Sequence, residues 1–508
     1  MTLMDAILLS LQKPSFWYAC FIITYVFYLW SRRKQYVLSW QLAGPLAFPL
    51  IGNSYFVLDG GVSNVINKMH KAMRDHWSPC RMVRLWVGQS LHVFVGDASI
   101  AYQVNKIPHK PDFYKYLGGL YVSKGLVSNI DSHHWKLTRK LMQPSFSYQS
   151  IKSFTSLMHE KSLQSVRDFD KYATTGESFY IAKVVRYYPF ETITKSYFDY
   201  DLKQNDRDYI ESIMEDLKKM FKNFQNRISL PIFKNLFVYW LVGLRQKENK
   251  VMKNLLGFVH NVIDSKKSKI DSGTNVKSEK NFVDTMLEKP DIYMDEVIQQ
   301  AGTLIAASID TTAFQLSALL LMLALHSEIQ KNLYKEVIEV LGEDVTKPYT
   351  YEQLMSLDYL NRVFKECLRM FPAVPFTAKM IYEDMKVTAD DGEYTIPAGT
   401  IMVIMQISIH NSPDYYDNPQ VFNPDRWLPD QVSTRNPHCF LPFSNGPRNC
   451  IGQRYTTLGI KAFAVNMVRT FEILPSEQCP TMADVKIEVN TTLDFKHNCQ
   501  IRLRRRNN

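Results

Sequence analysis

Hydrophobic and polar positions recur with helical spacing over most of the chain, from about residue 98 to residue 371. The longest such stretch, Met294–Leu325, is apolar on nearly every side in its second half, which predicts a buried helix. The amphipathic stretches Ser327–Leu341 and 357–371 predict two further helices, the second ending before Pro372. The central chain is therefore predicted to be helical.

Short β-like runs appear late in the chain, at 386–389, 400–405, 486–489 and near Ile501. The polar, lysine-rich segment 265–281 predicts an exposed loop between helices. No internal repeat or long low-complexity tract interrupts the pattern. The predicted fold class is mainly α with small β-sheets (α+β), in one large domain.

An apolar segment at 15–30 has no charged residue and is followed at once by Arg32, Arg33 and Lys34. It is short for a hydrocarbon core of roughly 30 Å, but Lys13 can snorkel and residues 6–11 are also apolar. Residues 1–34 are predicted to form a transmembrane anchor with its basic flank facing the cytoplasm. An interfacial helix is the alternative. A joint rich in Pro and Gly follows at 35–55, and the body spans 56–508.

Composition narrows the class of protein. Hydrophobic residues make up 46% of the chain and charged residues 22%, which is ordinary for a globular protein. The net charge of +10 suits anionic lipid or an acidic partner, and no motif indicates nucleic acid. The 7 cysteines are odd in number and form no CxxC pair, which argues against a disulfide framework or a zinc ribbon.

The strongest chemical signal is the loop PFSNGPRNCIGQ at 442–453, which leads into a helical pattern. A thiolate at Cys450 would be stabilised by the helix dipole and free backbone amides. Gly446 and Gly452 permit a close approach to a flat macrocycle, and Arg448 can pair with an anionic propionate. Phe443 can shield the sulfur from water. These features would suit a ligand loop against a macrocycle, whereas a lone cysteine is more often a buried structural residue.

A second signal lies in the long helix, where Asp310, Thr311 and Thr312 interrupt an apolar face. Two interpretations stay open. Threonine hydroxyls can bond back to the carbonyl four residues earlier and bend the helix. Alternatively, an acid next to an alcohol can form a proton relay.

The cysteine loop resembles the haem-binding signature FxxGxRxCxG of cytochromes P450, and it closely resembles the form found in family 4. The resemblance implies the cytochrome P450 fold, haem b (iron protoporphyrin IX) as cofactor and Cys450 as the proximal iron ligand. Further motifs follow in family order. Trp135 and Arg139 resemble the WxxxR pair that hydrogen-bonds a propionate, and Glu366, Arg369 and Arg426 resemble the buried ExxR–PDRW network that supports the cysteine loop.

The oxygen-side motif of the family places Asp310 as the acid and Thr311 as the alcohol, and three positions depart from the family pattern. Ser308 replaces a glycine, so it either narrows the space beside the iron or joins the relay. Ala307 stands where many family 4 members carry a Glu that esterifies the haem, so the haem is expected to be non-covalent apart from the Cys450–iron bond. Lys379 replaces an arginine that contacts a propionate, which keeps the charge and loses the bidentate fork.

By resemblance, the reaction inserts one oxygen atom of O2 into a lipophilic substrate, whether fatty acid, hormone or xenobiotic. Electrons would come from NADPH through the membrane-bound NADPH–cytochrome P450 reductase, with cytochrome b5 as a second possible donor. Arg435 and Lys461 are predicted as exposed residues of a basic docking face. The expected location is the endoplasmic reticulum membrane, with the catalytic domain facing the cytoplasm. Substrate contacts are expected in 106–127, in 209–233 and in strands after Pro375.

Three alternatives stay open from the sequence. A haem-thiolate isomerase or dehydratase would need no reductase, and Ser308 leaves room for that reading. A non-catalytic haem-binding protein would take up haem and CO without turnover. A membrane-tethered helical scaffold without haem would require five motifs to be accidents.

Overall fold

The computed structural model describes residues 13–48, 51–58, 61–75, 80–117, 123–202, 207–229, 231–273, 281–289 and 292–506. Over these residues the chain is mainly helical with small sheets, which confirms the predicted class. The helices, in chain order, are α1 Pro14–Ser31, α2 Arg33–Trp40, α3 Tyr55–Leu58, α4 Gly61–Arg74, α5 Ala98–Asn105, α6 Ser132–Met142, α7 Tyr148–Ser153, α8 Thr155–Thr175, α9 Ile181–Val185, α10 Tyr187–Phe198, α11 Arg207–Ser229, α12 Leu236–Leu241, α13 Leu244–Asp271, α14 Phe282–Glu288, α15 Met294–Leu325, α16 Ser327–Leu341, α17 Tyr351–Met355, α18 Asp358–Met370, α19 Gln406–His410, α20 Pro429–Ser433 and α21 Gln453–Thr470.

The strands are β1 Met82–Val87, β2 Ser90–Val95, β3 Phe179–Tyr180, β4 Thr377–Met380, β5 Met385–Ala389, β6 Gly392–Ile396, β7 Ile401–Ile404, β8 Phe471–Pro475, β9 Ile487–Val489, β10 Leu493–Phe495 and β11 Gln500–Arg505. They form a four-stranded sheet in the order β1-β2-β7-β4, a three-stranded sheet β3-β11-β8, and the pairs β5-β6 and β9-β10. β2 and β7 run parallel, and their neighbours are antiparallel. The four late β-like runs each coincide with a strand.

The helix α15 is the centre of the core. Its second half is apolar on every side and buried, and the helix as a whole packs against α10, α13, α18 and α21. Among the described residues, α15 is the one helix with the length and apolarity to cross a membrane, and most of it lies inside the protein. The N-terminal helix α1 exposes large apolar side chains, including Trp17, Phe21 and Phe27. Its role as an anchor stays a prediction.

The N-terminal end of α15 holds the loop that precedes α6. Gln299 and Gln300 each accept a hydrogen bond from a loop amide, of Lys124 and Leu126 respectively, both at 2.9 Å. Gly125 is needed between them because an added Cβ would lie 1.8 Å from the hydroxyl oxygen of Thr303. This close packing fixes the 123–129 loop beside the core helix.

The predicted exposed loop at 265–281 is wrong over its first part. Helix α13 continues to Asp271, and residues 274–280 lie outside the described residues. Lys266 falls on the buried face of α13 with Val259, Val262 and Ile263, and its Nζ lies 2.7 Å from Asp284 Oδ1. The many lysines of this segment suggested a solvated loop, and nothing in the sequence indicated that Lys266 points inward.

Candidate active site

The Cys450 loop turns sharply before α21 begins. Its backbone is closed by a hydrogen bond from the Cys450 amide to the Phe443 carbonyl at 2.9 Å, and Ser444 and Gly446 have positive φ values of 57° and 74°. The Cys450 side chain is exposed within a recess, where the surrounding protein raises the pKa of its thiol. The amides of Gly452 and Gln453 and the charge of Arg139 act in the opposite direction. These amides and Arg139 stabilise the thiolate, but they do not outweigh burial, and the pKa of the Cys450 thiol stays above its usual range.

The two glycines of the loop, Gly446 and Gly452, differ in how much space surrounds them. An added Cβ at Gly446 would lie 2.2 Å from the Asn105 carbonyl oxygen, so the loop packs directly on the end of α5. A Cβ at Gly452 would lie 3.8 Å from the Cys450 sulfur, which is ordinary contact. The close neighbour of Gly446 here is protein backbone. Phe443 is half-buried and packs against the main core, and its shielding of the sulfur stays a prediction.

Cationic side chains converge beside this loop. The Arg448 Nε donates to the Pro108 carbonyl at 2.9 Å, and its guanidinium lies 3.9 Å from the centroid of the Trp135 ring. Its two terminal nitrogens are buried and have no hydrogen-bond partner among the residues that the structure describes. Lys379 is 3% exposed, and its Nζ likewise has no partner within the described part of the chain. Burial and the charge of Arg448 lower the pKa of Lys379 to about 7.

Lys110 is a third cation of this cluster, and the sequence reasoning missed it. Its Nζ donates to the Val127 carbonyl at 2.5 Å. Burial, followed by the charges of Arg448 and Lys379, lowers the pKa of Lys110 well below its usual range. No sequence signal distinguished it, because a lysine between His109 and Pro111 is typical of a solvated turn.

These residues fit a haem. Arg448, Lys379 and Lys110 form no ion pair with a carboxylate among the described residues. The Lys379 side chain and the terminal nitrogens of Arg448 are nevertheless buried, and burying unpaired cationic groups is strongly disfavoured. Two adjacent propionate groups would neutralise such a cluster, and the planar guanidinium of Arg448 suits a carboxylate. The Cys450 thiolate would supply the ligand to the metal. The free donors therefore suit the propionates of a haem, and the sulfur suits its iron.

Arg139 contacts the cysteine loop directly. Its two terminal nitrogens donate to the backbone carbonyl and the side-chain Oδ1 of Asn449, each at 2.9 Å. Helix α6, which carries Arg139, is capped by Asp131, whose carboxylate accepts from the amides of His133 and His134. Arg139 was predicted to bind a propionate, and here its terminal donors hold the residue before Cys450.

Glu366, Arg369 and Arg426 lie together in a buried network. Glu366 and Arg369 are both 0% exposed and form a two-point pair, with nitrogen–oxygen distances of 2.8 and 2.9 Å. The Nε of Arg426 lies 3.2 Å from Glu366 Oε1. The indole nitrogen of Trp427 and the amide of Asn423 also donate to this carboxylate, at 3.0 and 3.1 Å. The motifs ExxR and PDRW therefore meet at one carboxylate.

His410 connects this network to the cysteine loop and was not found from the sequence. Arg369 donates to the His410 carbonyl at 3.0 Å, and the His410 ring nitrogen Nε2 accepts from the Leu441 amide at 2.8 Å. Burial and the charge of Arg369 lower the pKa of His410 to about 3, so the ring stays neutral and remains an acceptor. The support of the cysteine loop therefore passes through an imidazole.

Asp310 and Thr311 make different hydrogen bonds in α15. The Asp310 Oδ2 accepts from Thr492 Oγ1 in the turn between β9 and β10, at 2.5 Å. Burial raises the pKa of Asp310, and the bond from Thr492 opposes that shift. The Thr311 hydroxyl donates to the Ala307 carbonyl at 2.8 Å, so the local helix bond expected of a threonine is present. Thr492 had no sequence signal.

Ser308 also bonds within the helix. Its hydroxyl lies 2.7 Å from the Leu304 carbonyl and 3.1 Å from the Ile305 carbonyl. A serine has a single hydroxyl proton, so in this arrangement Ser308 can join a relay only as an acceptor.

An apolar cavity lies beside this part of α15. Its walls come from the 123–131 loop, α11, α13 and α15, and include Val127, Ile213, Met220, Phe258 and Ala306. Two of the three segments predicted to contact substrate therefore line one cavity, and none of its lining residues comes from the strands after Pro375.

The predicted exposure of Lys461 on a basic docking face is wrong, whereas Arg435 is partly exposed and its role there stays a prediction. Lys461 is 2% exposed in α21, and burial lowers its pKa to about 8. Arg435 donates to the Arg426 carbonyl at 2.9 Å, and its guanidinium lies 4.6 Å from the centroid of the Tyr416 ring. Helix packing places the Lys461 side chain inward, whereas Arg435 lies at the surface against the Tyr416 ring.

Comparison with known proteins agrees with this arrangement. The family model described as Cytochrome P450 matches residues 42–496. Cytochrome P450 4c21 of Blattella germanica is 31% identical over 473 residues, which cover 89% of this chain and 91% of that protein. Cytochrome P450 4g15 of Drosophila melanogaster is 25% identical over 569 residues, with 96% and 95% covered. Probable cytochrome P450 313a2 of the same fly is 26% identical over 468 residues, with 90% and 92% covered. The chain belongs to the cytochrome P450 family, whose members are generally haem-thiolate monooxygenases that bind haem through a cysteine–iron bond.

Proposed function

We propose that this protein inserts one oxygen atom of O2 into a lipophilic substrate, using electrons from NADPH delivered by NADPH–cytochrome P450 reductase, with cytochrome b5 as a second donor. One observation carries the proposal. Cys450 lies at the start of α21 next to a cluster of unpaired buried cations, among them Arg448 and Lys379. That pairing of a sulfur ligand with sites for two anionic groups is what a haem requires.

The proposed cofactor is haem b, bound non-covalently apart from the bond between its iron and Cys450. When bound, the haem supplies the activation of dioxygen. Arg448, Lys379 and Lys110 would hold its propionates, with Trp135 packed under the Arg448 guanidinium. Ala307 offers no carboxylate for an ester to the macrocycle.

The residues of α15 would hold a proton near the reaction site and exclude water from the cavity. Because burial raises the pKa of Asp310, its carboxyl holds a proton at a higher pH than an exposed aspartate does. Thr492 keeps that carboxyl oriented, and the Thr311 oxygen remains free to accept a hydrogen bond. The apolar walls around Ala306 exclude water and favour a lipophilic substrate, a fatty acid, hormone or xenobiotic.

A second candidate is a haem-thiolate isomerase or dehydratase. Ser308 and Thr311 both donate their hydroxyl protons to helix carbonyls, which leaves fewer free donors on the oxygen side than a monooxygenase would use. Such an enzyme would turn over an oxygenated lipid without a reductase. A non-catalytic haem-binding protein would show neither activity.

The proposed location is the endoplasmic reticulum membrane, with the body facing the cytoplasm. What supports it is the exposed apolar surface of α1, followed by Arg32, Arg33 and Lys34. Removing residues 1–34 should release the expressed protein from sedimented membranes, and a membrane-bound truncation would contradict an anchor in this segment.

The first experiment is an absorption spectrum of the reduced, CO-bound protein, compared with Cys450→Ala. A thiolate-type Soret band that Cys450→Ala loses and Cys20→Ala keeps would identify the ligand. An unchanged spectrum in Cys450→Ala would contradict that assignment. Consumption of NADPH with added reductase and oxidation of a lipophilic substrate would then support the monooxygenase, whereas turnover without reductase would favour the isomerase.

A further inference from the structure

The loop that forms one wall of the apolar cavity is tied to the N-terminal part of α15. The Lys124 amide donates to Gln299 Oε1 and the Leu126 amide donates to Gln300 Oε1, both at 2.9 Å. Gln300 also donates from its Nε2 to the Lys124 carbonyl, at 3.0 Å. Gln299 is 5% exposed and Gln300 is 0% exposed, so water does not compete for these bonds. Two adjacent glutamines of one helix therefore hold the loop backbone.

The two glutamine side chains are themselves oriented by acids of the same helix. Gln299 Nε2 donates to Asp295 Oδ2 at 2.7 Å, and Gln300 Nε2 donates to Glu296 Oε1 at 2.8 Å. A carboxylate accepts hydrogen bonds and does not donate them, so each amide turns its nitrogen towards the acid and its oxygen towards the loop. This orientation presents acceptors to the loop amides.

Further backbone groups of the loop are bonded within it or to a neighbouring side chain. The Gly125 carbonyl accepts from the amides of Ser128 and Asn129, at 3.0 and 2.9 Å. The Val127 carbonyl accepts from Lys110 Nζ at 2.5 Å. Surface loops are ordinarily mobile because much of their backbone bonds to water. This loop bonds to protein instead, so moving it would break several hydrogen bonds at once.

The residues that follow these contacts line the cavity. Val127 and Ser128 form its wall on the loop side, together with residues of α11, α13 and α15. Thr303 of α15 also lines the cavity, and a Cβ added at Gly125 would lie 1.8 Å from its Oγ1. The wall therefore cannot move towards α15, and the two glutamines prevent it from moving away. The width of the cavity at this wall is fixed before any substrate enters.

We propose that Gln299 and Gln300 are positioning residues that limit the width of the substrate. They hold Val127 and Ser128 as a fixed wall, so the cavity binds a linear chain in preference to a ring with the same number of carbon atoms. Both glutamines act through the loop. This inference rests on the proposed function, since it takes the cavity to be the substrate site.

The test is isothermal titration calorimetry of the full-length, haem-loaded protein with octan-1-ol and with cyclooctanol, which have equal carbon numbers and differ in width. The parent should bind octan-1-ol roughly tenfold tighter, which is the discrimination that a fixed apolar pocket achieves. Gln300→Met keeps the side-chain length and removes its polar atoms, so it should reduce this ratio by raising the affinity for cyclooctanol. Gln299→Met should reduce the ratio less, because Gln299 makes one bond to the loop and Gln300 makes two. Gln431→Met, at an exposed position of α20, is the matched control.

Gly125→Ala tests the same wall without removing a hydrogen-bonding group. Its added methyl group would collide with Thr303 and displace the loop from α15, so this variant should also raise the affinity for cyclooctanol. Gly257→Ala is its control, because a Cβ at Gly257 would have open space around it. If Gln300→Met does not fold, the comparison of these two glycine variants decides the question.

Equal affinities of the parent for the two alcohols would overturn the inference. So would an equal loss of both affinities in Gln300→Met and Gly125→Ala, because residues with a purely structural role would weaken both ligands alike. Heat of binding requires neither turnover nor a reductase. A protein that shows the expected selectivity but oxidises neither alcohol would contradict the proposed function and leave this inference standing.

Discussion

The hydroxyl of Thr492 donates a hydrogen bond to the carboxylate of Asp310, with 2.5 Å between the two oxygens. The two residues are 182 positions apart and belong to the turn between β9 and β10 and to the middle of α15. The bond ties the β9–β10 pair to the proposed proton-carrying acid. It also stabilises the ionised form of that acid against the effect of burial.

Replacing Thr492 should therefore have a pH-dependent effect on stability. Thr492→Val removes a bond that favours ionised Asp310, so its pKa should rise further above the ordinary value of 3.8. A carboxyl with a raised folded pKa loses stability as pH rises from 3.8 towards that pKa. The variant should lose about 1–3 kcal/mol at pH near 7 and less near pH 4, measured by urea unfolding. Thr492→Ser is the control, and equal losses at both pH values would refute the prediction.

Glu366 should be the most sensitive carboxylate of the body. Glu366→Ala leaves Arg369 and Arg426 buried without their shared partner, which should lower the free energy of unfolding by about 3–5 kcal/mol. Glu393→Ala breaks the exposed ion pair with Lys386 and should change the free energy of unfolding by less than about 1 kcal/mol. Denaturant midpoints of the two variants provide the comparison, and similar values for both would contradict the role of burial.

Lys110 should lower the stability of the haem-free protein and slow the release of haem from the loaded protein. Lys110→Met removes a cation that faces Arg448 and Lys379, so the haem-free protein should unfold at an equal or higher temperature. The loaded variant should lose haem faster to an excess of apomyoglobin, because one propionate contact is missing. Lys136→Met, at an exposed position of α6, is the control. Unchanged haem release in Lys110→Met would exclude this contact.

The depressed pKa of Lys379 predicts a pH effect in the haem-free protein. Its pKa is about 7 when folded against an ordinary value of 10.5, so between these values the unfolded chain binds the additional proton. Stability should therefore rise with pH from about 7 to 10.5. Lys379→Met should show a shallower rise over this range in thermal unfolding. A parent whose stability falls across the same range would contradict the assignment.

Two glycines with similar φ angles allow the effect of backbone strain to be distinguished from that of a steric clash. Gly446 has φ of 74° and lies against the Asn105 carbonyl, whereas Gly176 has φ of 69° and open space around it. Gly176→Ala should cost about 1 kcal/mol from backbone strain alone. Gly446→Ala should also displace the cysteine loop and lower haem uptake, measured by the ratio of Soret to protein absorbance. Equal uptake in both variants would show that the loop tolerates the displacement.

The sequence predicted more of the site than of its surroundings. Cys450, Arg448, Trp135 and the residues of the Glu366 network occupy positions of short motifs, in which spacing along one loop or one helix turn already brings side chains together. Lys110, His410 and Thr492 could not be found in this way. Each acts through a partner more than 15 residues away along the chain, and each looks like an ordinary polar residue in its own segment.

Burial of individual charged residues was also beyond the sequence. Lys266 and Lys461 occur in polar or amphipathic stretches, yet both side chains point into the core. Which of several neighbouring lysines on a helix faces inward depends on the rotation of that helix, and the elements packed against the helix set this rotation. The sequence alone determined the mainly helical class, the buried central helix and the loop that carries the thiol, because periodicity and local spacing encode them. Tertiary structure alone decided which cations lack a counter-charge among the described residues, at the Arg448 cluster, because an unpaired charge depends on all the elements packed around it.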